Sequence, residues 1–327
     1  MQASLDTAGE RLAIECSVPW IAELIAEGAG GALRTSESPG ASVRVQVEAD
    51  RRPFDTGGWE VLTRGAWRRP GTVVVTNACT AGFDLRLQCT PEEAAFTFRW
   101  RPPPRDRAAA RILRSRFHLL ARAVLMQYPA LWWAQVRGRA PLHASAWTGG
   151  ESTPLVGSAS GVGRSTLVLA EIAAGARATG DNLAVGDGTT VWGLVEPLRL
   201  KGAGGRQMPH GRSEAPLPGR VDALTPDSVV VVERGEAQRS SLSHCSPDAA
   251  AHSLVTSTYM AGELRRYWAF AATLSAGTGY GPAHPPIAEV ASAFTAALPC
   301  YSLALGATPG AELLSELLSA REVAAWV

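Results

Sequence analysis

The chain has 327 residues, 46% of them hydrophobic and 19% charged, with a net charge of +1 at neutral pH. That supply of apolar residues supports one large core or two smaller ones and excludes disorder as the main state. A charge this close to zero gives no global attraction to nucleic acid or to acidic membranes. The opening residues, MQASLDTAGERLAIEC, lack a basic region followed by an apolar stretch, so no signal peptide is expected and the predicted location is the cytoplasm.

Through the first hundred residues the patterning is that of strands. Val43, Val45 and Val47 alternate with polar residues over 42–49. Phe83, Leu85, Leu87 and Cys89 do so over 83–89, and Phe96, Phe98 and Trp100 over 96–101. Period two buries one face and wets the other, which predicts an antiparallel sheet. The prolines of RPPPRDR (101–107) stop the last strand. From 107 to 127 the spacing turns helical, with Ile112, Leu113, Phe117, Leu120 and Val124 on one stripe and arginines opposite. A second helical segment carries Trp132 and Trp133, read as core or interface packing. The most apolar helix candidate, 117–136, is broken by Arg122, Gln127 and Pro129 and is too interrupted to span a bilayer. A boundary is expected near Gly138. It divides the chain into a β-rich region (1–105), a helical connector (106–138) and a mixed α/β domain (139–327).

In that last part, TPLVG (153–157) reads as a short strand, followed by a small-residue loop and a helix from about 163 to 174 ended by Gly175. Residues 183–194 read as a hairpin around Gly186-Asp187-Gly188. A glycine- and proline-rich stretch, 200–220, reads as a long loop. SVVVVERG (228–235) reads as a buried strand and turn. Helices are expected at 261–275 and 285–298, then a strand YSLALG, then a helix after Pro309. Five cysteines (Cys16, Cys79, Cys89, Cys245 and Cys300) contain no C-x-x-C pair and read as free, buried thiols rather than metal ligands.

The stretch VGSASGVGRST (156–166) has the strand–loop–helix setting of a phosphate-binding loop, G-x-x-x-x-G-K-[ST]. Such loops work because backbone N–H groups and a helix N-terminus converge on an anion. Gly161 and Gly163 allow the tight curl, Ser158, Ala159 and Ser160 are small, and Ser165-Thr166 supplies the hydroxyl pair. Arg164 stands in the lysine position, and Ser158 stands where the first glycine belongs, with Gly157 one residue early. A competing reading makes the loop a small-residue helix start used only for packing. Sixteen residues after Ser165 comes Asp181-Asn182. A carboxylate there can bind magnesium or take a proton from an attacking hydroxyl, although Gly-Asp-Asn is also a common turn. His143 lies upstream in PLHAS, where a lone histidine is commonly structural. Of the 31 basic residues a single one is lysine, Lys201, at the head of KGAGGR. Such a skew fits GC-rich coding, and it raises the question of what Lys201 does.

Together His143, SASGVGRS (158–165) and Asp181-Asn182 resemble the catalytic domain of the HPr kinase/phosphorylase-like serine kinases. VEPLRLKG (195–202), VVVVERG and LPCYSLALG are similar to smaller members found in natural-product and peptide maturation. The resemblance covers about 139–320. It implies an α/β fold, with a P-loop-containing, HPr kinase-like C-terminal domain following a β-rich N-terminal domain that recognises the acceptor or a partner. It further implies ATP or another nucleoside triphosphate, with Mg2+, as cofactors. By that resemblance Asp181 is the base, and the acid when phosphate moves back, and His143 orients it. Ser158, Ser160, Gly161, Val162, Gly163, Arg164, Ser165 and Thr166 cradle the nucleotide, and Ser165, Asp181 and Asn182 hold the metal. Lys201 is singled out because it is the lone lysine and not by the resemblance, and two readings stand: an active-site cation, with Arg206 or Arg212 helping to close the loop, or a solvated loop lysine left by chance. Three positions depart from the family pattern: Ser158 for glycine, Arg164 for lysine and Asn182 for a second aspartate. The expected activity is phosphoryl transfer to a hydroxyl of a peptide serine or a small molecule, with no nucleic-acid or membrane partner and the oligomeric state left open. Two alternatives stand beside it: a non-catalytic nucleotide- or peptide-binding protein, and an enzyme that hydrolyses another phosphate-bearing ligand.

Overall fold

A computed structural model describes residues 1–35, 40–201, 207–208, 212–308 and 312–325. The protein is mixed α/β and divides into two compact units. The first comprises 1–137, 195–216 and 266–284, and the second 138–194, 217–265 and 285–327. Chain order therefore does not separate them after 138, as three consecutive segments would. Two later stretches return to the first unit.

The chain begins with β1 (Gln2–Thr7), β2 (Glu10–Cys16) and α1 (Pro19–Gly28). It continues through β3 (Val43–Glu48), β4 (Glu60–Thr63), β5 (Ala66–Arg69), β6 (Thr72–Ala78), β7 (Phe83–Cys89) and β8 (Ala94–Trp100). These strands form one sheet in the order β1-β2-β3-β8-β7-β6-β5-β4. The alternating strands at 43–48, 83–89 and 94–100 are present, and their inward residues Val43, Val45, Val47, Phe83, Leu85, Phe96 and Phe98 are buried. The sheet is not purely antiparallel, as the alternation had predicted. β2–β3 and β3–β8 run parallel, because α1 and the long β3-to-β8 excursion act as crossovers.

Helices α2 (Pro104–Ile112), α3 (Arg114–Arg122) and α4 (Tyr128–Val136) follow, the last two joined by a π-helical turn at Ala123–Gln127. The expected stripe from Ile112 to Val124 does not exist as one face. The backbone breaks at Leu113 (φ −103°, ψ 47°), which resets the helical phase and leaves Ile112 79% exposed. Arg122 is buried, not solvent-facing, and its guanidinium donates to Glu214 (2.7 Å) and Glu27 (3.2 Å). Trp132 and Trp133 are core residues, and Trp132 meets Phe96 edge-on at 5.9 Å. No helix among the described residues is long and apolar enough to cross a membrane.

The second unit starts with β9 (Ala140–Leu142), β10 (Ala144–Thr148), β11 (Pro154–Ser158), α5 (Arg164–Ala173) and β12 (Arg177–Ala178). The predicted hairpin is β13 (Ala184–Gly186) and β14 (Val191–Gly193). The stretch expected as a loop at 200–220 instead carries β15 (Leu198–Lys201), β16 (Gln207–Met208) and β17 (Arg212–Ala215), ordered β15-β17-β16 in the first unit. Next come β18 (Ala223–Leu224), β19 (Ser228–Arg234) and β20 (Ser241–His244). Helix α6 (Pro247–Met260) was not expected from the pattern, and the helix predicted to begin at 261 is α7 (Tyr267–Thr278), preceded by a short turn at Gly262–Leu264. α8 (Ile287–Ala297), β21 (Cys300–Leu305) and α9 (Leu314–Ala325) complete the chain.

The sheet that carries the small-residue loop is ordered β12-β10-β11-β19-β21-β20, with β11, β19 and β21 parallel. Val156, Val230, Val232 and Leu303 pack with Leu167 and Val168 of α5 and Leu314 of α9. On the other face α6 lies so close that a Cβ at Gly157 would come within 2.4 Å of Leu254. Gly157 thus serves the sheet–helix contact, which explains a glycine one place before the loop. The five cysteines are free thiols, but only Cys16 and Cys300 are buried as expected, while Cys79, Cys89 and Cys245 are half-buried. Burial pushes the Cys79 thiol up to about 12, which keeps it protonated and unreactive at neutral pH.

Candidate functional site

The apolar run of β11 ends at Ser158, and the chain turns at Gly161 (φ +82°) and Gly163 (φ +129°) before α5 begins at Arg164. Both angles favour glycine, since a Cβ is strained there. Gly163 is the N-cap and offers no side chain to the first turn of α5. Among the described residues, the N–H groups of Ser160, Gly161, Val162 and Gly163 donate to no protein acceptor. Ala159, Ser160, Gly161 and Thr166 are exposed, and Val162, Gly163 and Ser165 half-buried. Backbone donors left unpaired beside a helix N-terminus are an arrangement that can cradle an anion. The cradle lies at the carboxyl ends of parallel strands, where open α/β sheets bind ligands.

Arg164 does not stand in that cradle as a lysine would. It is buried, and Nη1 donates to the His143 carbonyl at 2.6 Å. Nη2 donates to the Asn182 carbonyl at 3.1 Å and lies 3.4 Å from Asn182 Oδ1. A planar fork suits this double clasp, whereas an ammonium has no comparable geometry. The first residue of α5 therefore ties together the three segments singled out from the sequence, those of His143, the loop and Asp181-Asn182.

His143, between β9 and β10, is buried, and its N–H donates to Thr258 Oγ1 at 3.0 Å. Its Nε2 lies 3.1 Å from Asn182 Oδ1. An amide oxygen accepts, so Nε2 donates to it. Burial, reinforced by the Arg164 charge, lowers the imidazole to about 4, while Glu263, Asn182 and the Ser158 backbone act in the opposite sense. His143 is accordingly neutral at physiological pH. Its ring contact is with Asn182, so any influence on Asp181 passes through the backbone they share.

Asp181 is 9% exposed. Its carbonyl accepts a hydrogen bond from the fully buried Ser145 hydroxyl at 2.6 Å, which fixes the backbone from which the carboxylate projects. Lys201 is the last residue of β15, in the first unit. Its side chain, that of Arg212 and the whole of Arg206 lie outside the described residues.

Three residues missed in the sequence join the site. Ser145 and Thr258 hold the Asp181 and His143 backbones, and Arg234 ends β19. Ser158 is opposite Val232 in the parallel ladder, so Glu233 and Arg234 reach just past the start of the loop. Arg234 is exposed, and its Nη2 donates to the Gly161 carbonyl at 3.4 Å. ERG after a run of valines was the only available signal, and it says nothing about which strand lies alongside. Among the described residues no group of three or more His, Cys, Asp and Glu is placed to hold a metal ion. No protein-family model matches the chain, and no curated protein matches it.

Proposed function

We propose that the second unit is a nucleotide-dependent phosphotransferase of the HPr-kinase type, moving a phosphoryl group to a hydroxyl of a peptide serine or a small molecule. The observation that carries this reading is the convergence at α5: an anion cradle of free N–H groups whose first helical residue also clasps His143 and Asn182. The residues fit phosphate well. The cradle from Ser158 to Thr166 supplies backbone donors, and Arg234 supplies the exposed cation that Arg164 does not. Ser165 and Asp181 offer the hard oxygens magnesium prefers. Asn182 is set aside as a ligand, because its amide oxygen faces His143 and Arg164. A bound magnesium nucleotide supplies the phosphoryl group and neutralises its charge. Asp181 takes the proton of the acceptor hydroxyl, and the cluster of neutral His143, Asn182 and cationic Arg164 keeps the backbone beneath it rigid.

A second reading, phosphate binding without transfer, is favoured by the inward course of Arg164, since the usual phosphate-contacting cation has become a structural clasp. Calorimetric titration with ATP and magnesium, followed by an assay for ADP formation with serine peptides and small alcohols, separates the two. Turnover that Asp181→Asn abolishes supports transfer. Binding with no turnover on any acceptor supports the second reading.

A further inference from the structure

The first unit has its own ligand-sized cavity, of about 390 Å3, lined by Arg51, Trp100, Arg101, Pro102, Arg107 and Arg111. Arg51 follows β3, and Trp100 to Pro102 end β8. These two strands are parallel neighbours, so the cavity lies off their carboxyl ends. Arg107 and Arg111 stand one turn apart on α2 and face the same space.

Its charge is one-sided. Arg101 pairs with Asp84 and also donates to the Arg51 carbonyl at 2.8 Å. The guanidiniums of Arg51, Arg107 and Arg111 have no carboxylate or other acceptor among the described residues. Nearby carboxylates are already engaged: Asp50 by Arg52 and Arg99, Asp84 by Arg101, and Asp106 by Asn77 and Arg105. Beside the charge stand two flat apolar surfaces, the Trp100 indole and the Pro102 ring. Trp100 is steadied by an edge-on contact with Trp20 at 5.1 Å. Its buried indole N–H has no acceptor among the described residues.

We propose that this cavity binds a small organic anion of the phosphate-monoester class. Arg51, Arg107 and Arg111 hold the dianion, and Trp100 and Pro102 cover the organic part. Guanidinium forks match phosphate oxygens two at a time, and the volume suits a small molecule. The proposal does not depend on phosphoryl transfer in the second unit.

The test is calorimetric titration of the full chain at low salt with phenyl phosphate, inorganic phosphate and phenol. Saturable binding of phenyl phosphate is expected, about tenfold tighter than inorganic phosphate, with none for phenol. Arg107→Gln with Arg111→Gln, both exposed and therefore expected to fold, weakens it by about tenfold per arginine. Trp100→Leu removes the preference for the phenyl ester. Gly163→Val, which distorts the loop of the other unit, leaves in place the phenyl phosphate binding that depends on Arg107 and Arg111. The proposal is overturned if phenyl phosphate does not saturate, or if the double arginine variant binds as wild type does. It is equally overturned if Gly163→Val alone abolishes binding, or if the long polyanion heparin binds while phenyl phosphate does not, which would mark a charged surface and no cavity.

Discussion

Both units place three parallel strands side by side, β2-β3-β8 in the first and β11-β19-β21 in the second, and both bring hydrogen-bond donors together beyond strand carboxyl ends. They do so with different groups. In the second unit the donors are backbone N–H groups fixed by glycine geometry, and the arginine at the helix start is buried as a clasp. In the first unit the donors are exposed guanidiniums on a strand end and a helix. Backbone donors are fixed in place before a ligand arrives, which suits positioning for chemistry. Exposed guanidiniums lose side-chain entropy on binding and are screened by salt, which suits recognition. The same residue type therefore has opposite meanings at Arg164 and Arg107.

The sharpest break in the comparison is chemical. Asp181→Asn should fold and bind nucleotide yet lose roughly two to four orders of magnitude in turnover, the usual contribution of a positioned base. No cavity variant of the first unit should lower the chemical step on that scale, and single-turnover rates check both. Next comes the cost of removing each arginine. Arg164→Ala strands the His143 and Asn182 carbonyls in the interior and should lower stability by about 2–4 kcal/mol in urea unfolding. Arg107→Gln should stay within about 0.5 kcal/mol of wild type.

His143 gives the fold a pH signature. The unfolded imidazole titrates near 6.5 and the folded one near 4. Its contribution is fully present above about pH 6.5 and is lost as the pH falls towards 4, because only the unfolded chain takes up the proton. The size is up to about 3 kcal/mol. Comparing urea midpoints at pH 7.5 and 4.5 for wild type and His143→Gln isolates it, and the variant should show the smaller drop. A smaller effect than that of Arg164 or His143 belongs to Arg234, exposed at the rim of the loop. Arg234→Ala should weaken nucleotide affinity by about tenfold with stability unchanged, the reverse of Arg164→Ala. Equal behaviour of the two variants would remove the distinction drawn between them.

The strands around Val45, Leu85 and Phe98 were legible because each buries one face, and a period of two records that. The unit around α5 was legible because glycine at positive φ leaves a mark in sequence. Strand direction was not, since parallel and antiparallel neighbours bury the same alternation. The stripe across 112–124 failed at Leu113, where one off-helix residue shifts every later position. Helix α6 was hidden by its serines and threonines, although Ser246-Pro247 is a fair N-terminal signal, and Ser246 does accept from the Ala249 N–H. For the site, the segments were readable but the direction of Arg164 was not. An arginine in a lysine's place looks like a substitution of charge, and only packing shows that its length and fork are used to hold two carbonyls.

The central claim is that the loop from Ser158 to Ser165 holds nucleotide phosphates on its backbone. Calorimetric titration of ATP with magnesium into wild type and Gly163→Val tests it most directly. The account predicts saturable binding at one site per chain in wild type, weakened at least about tenfold in a folded variant whose N-cap can no longer hold its positive φ. Absence of saturable binding in wild type, or equal affinity in the two proteins, would contradict it.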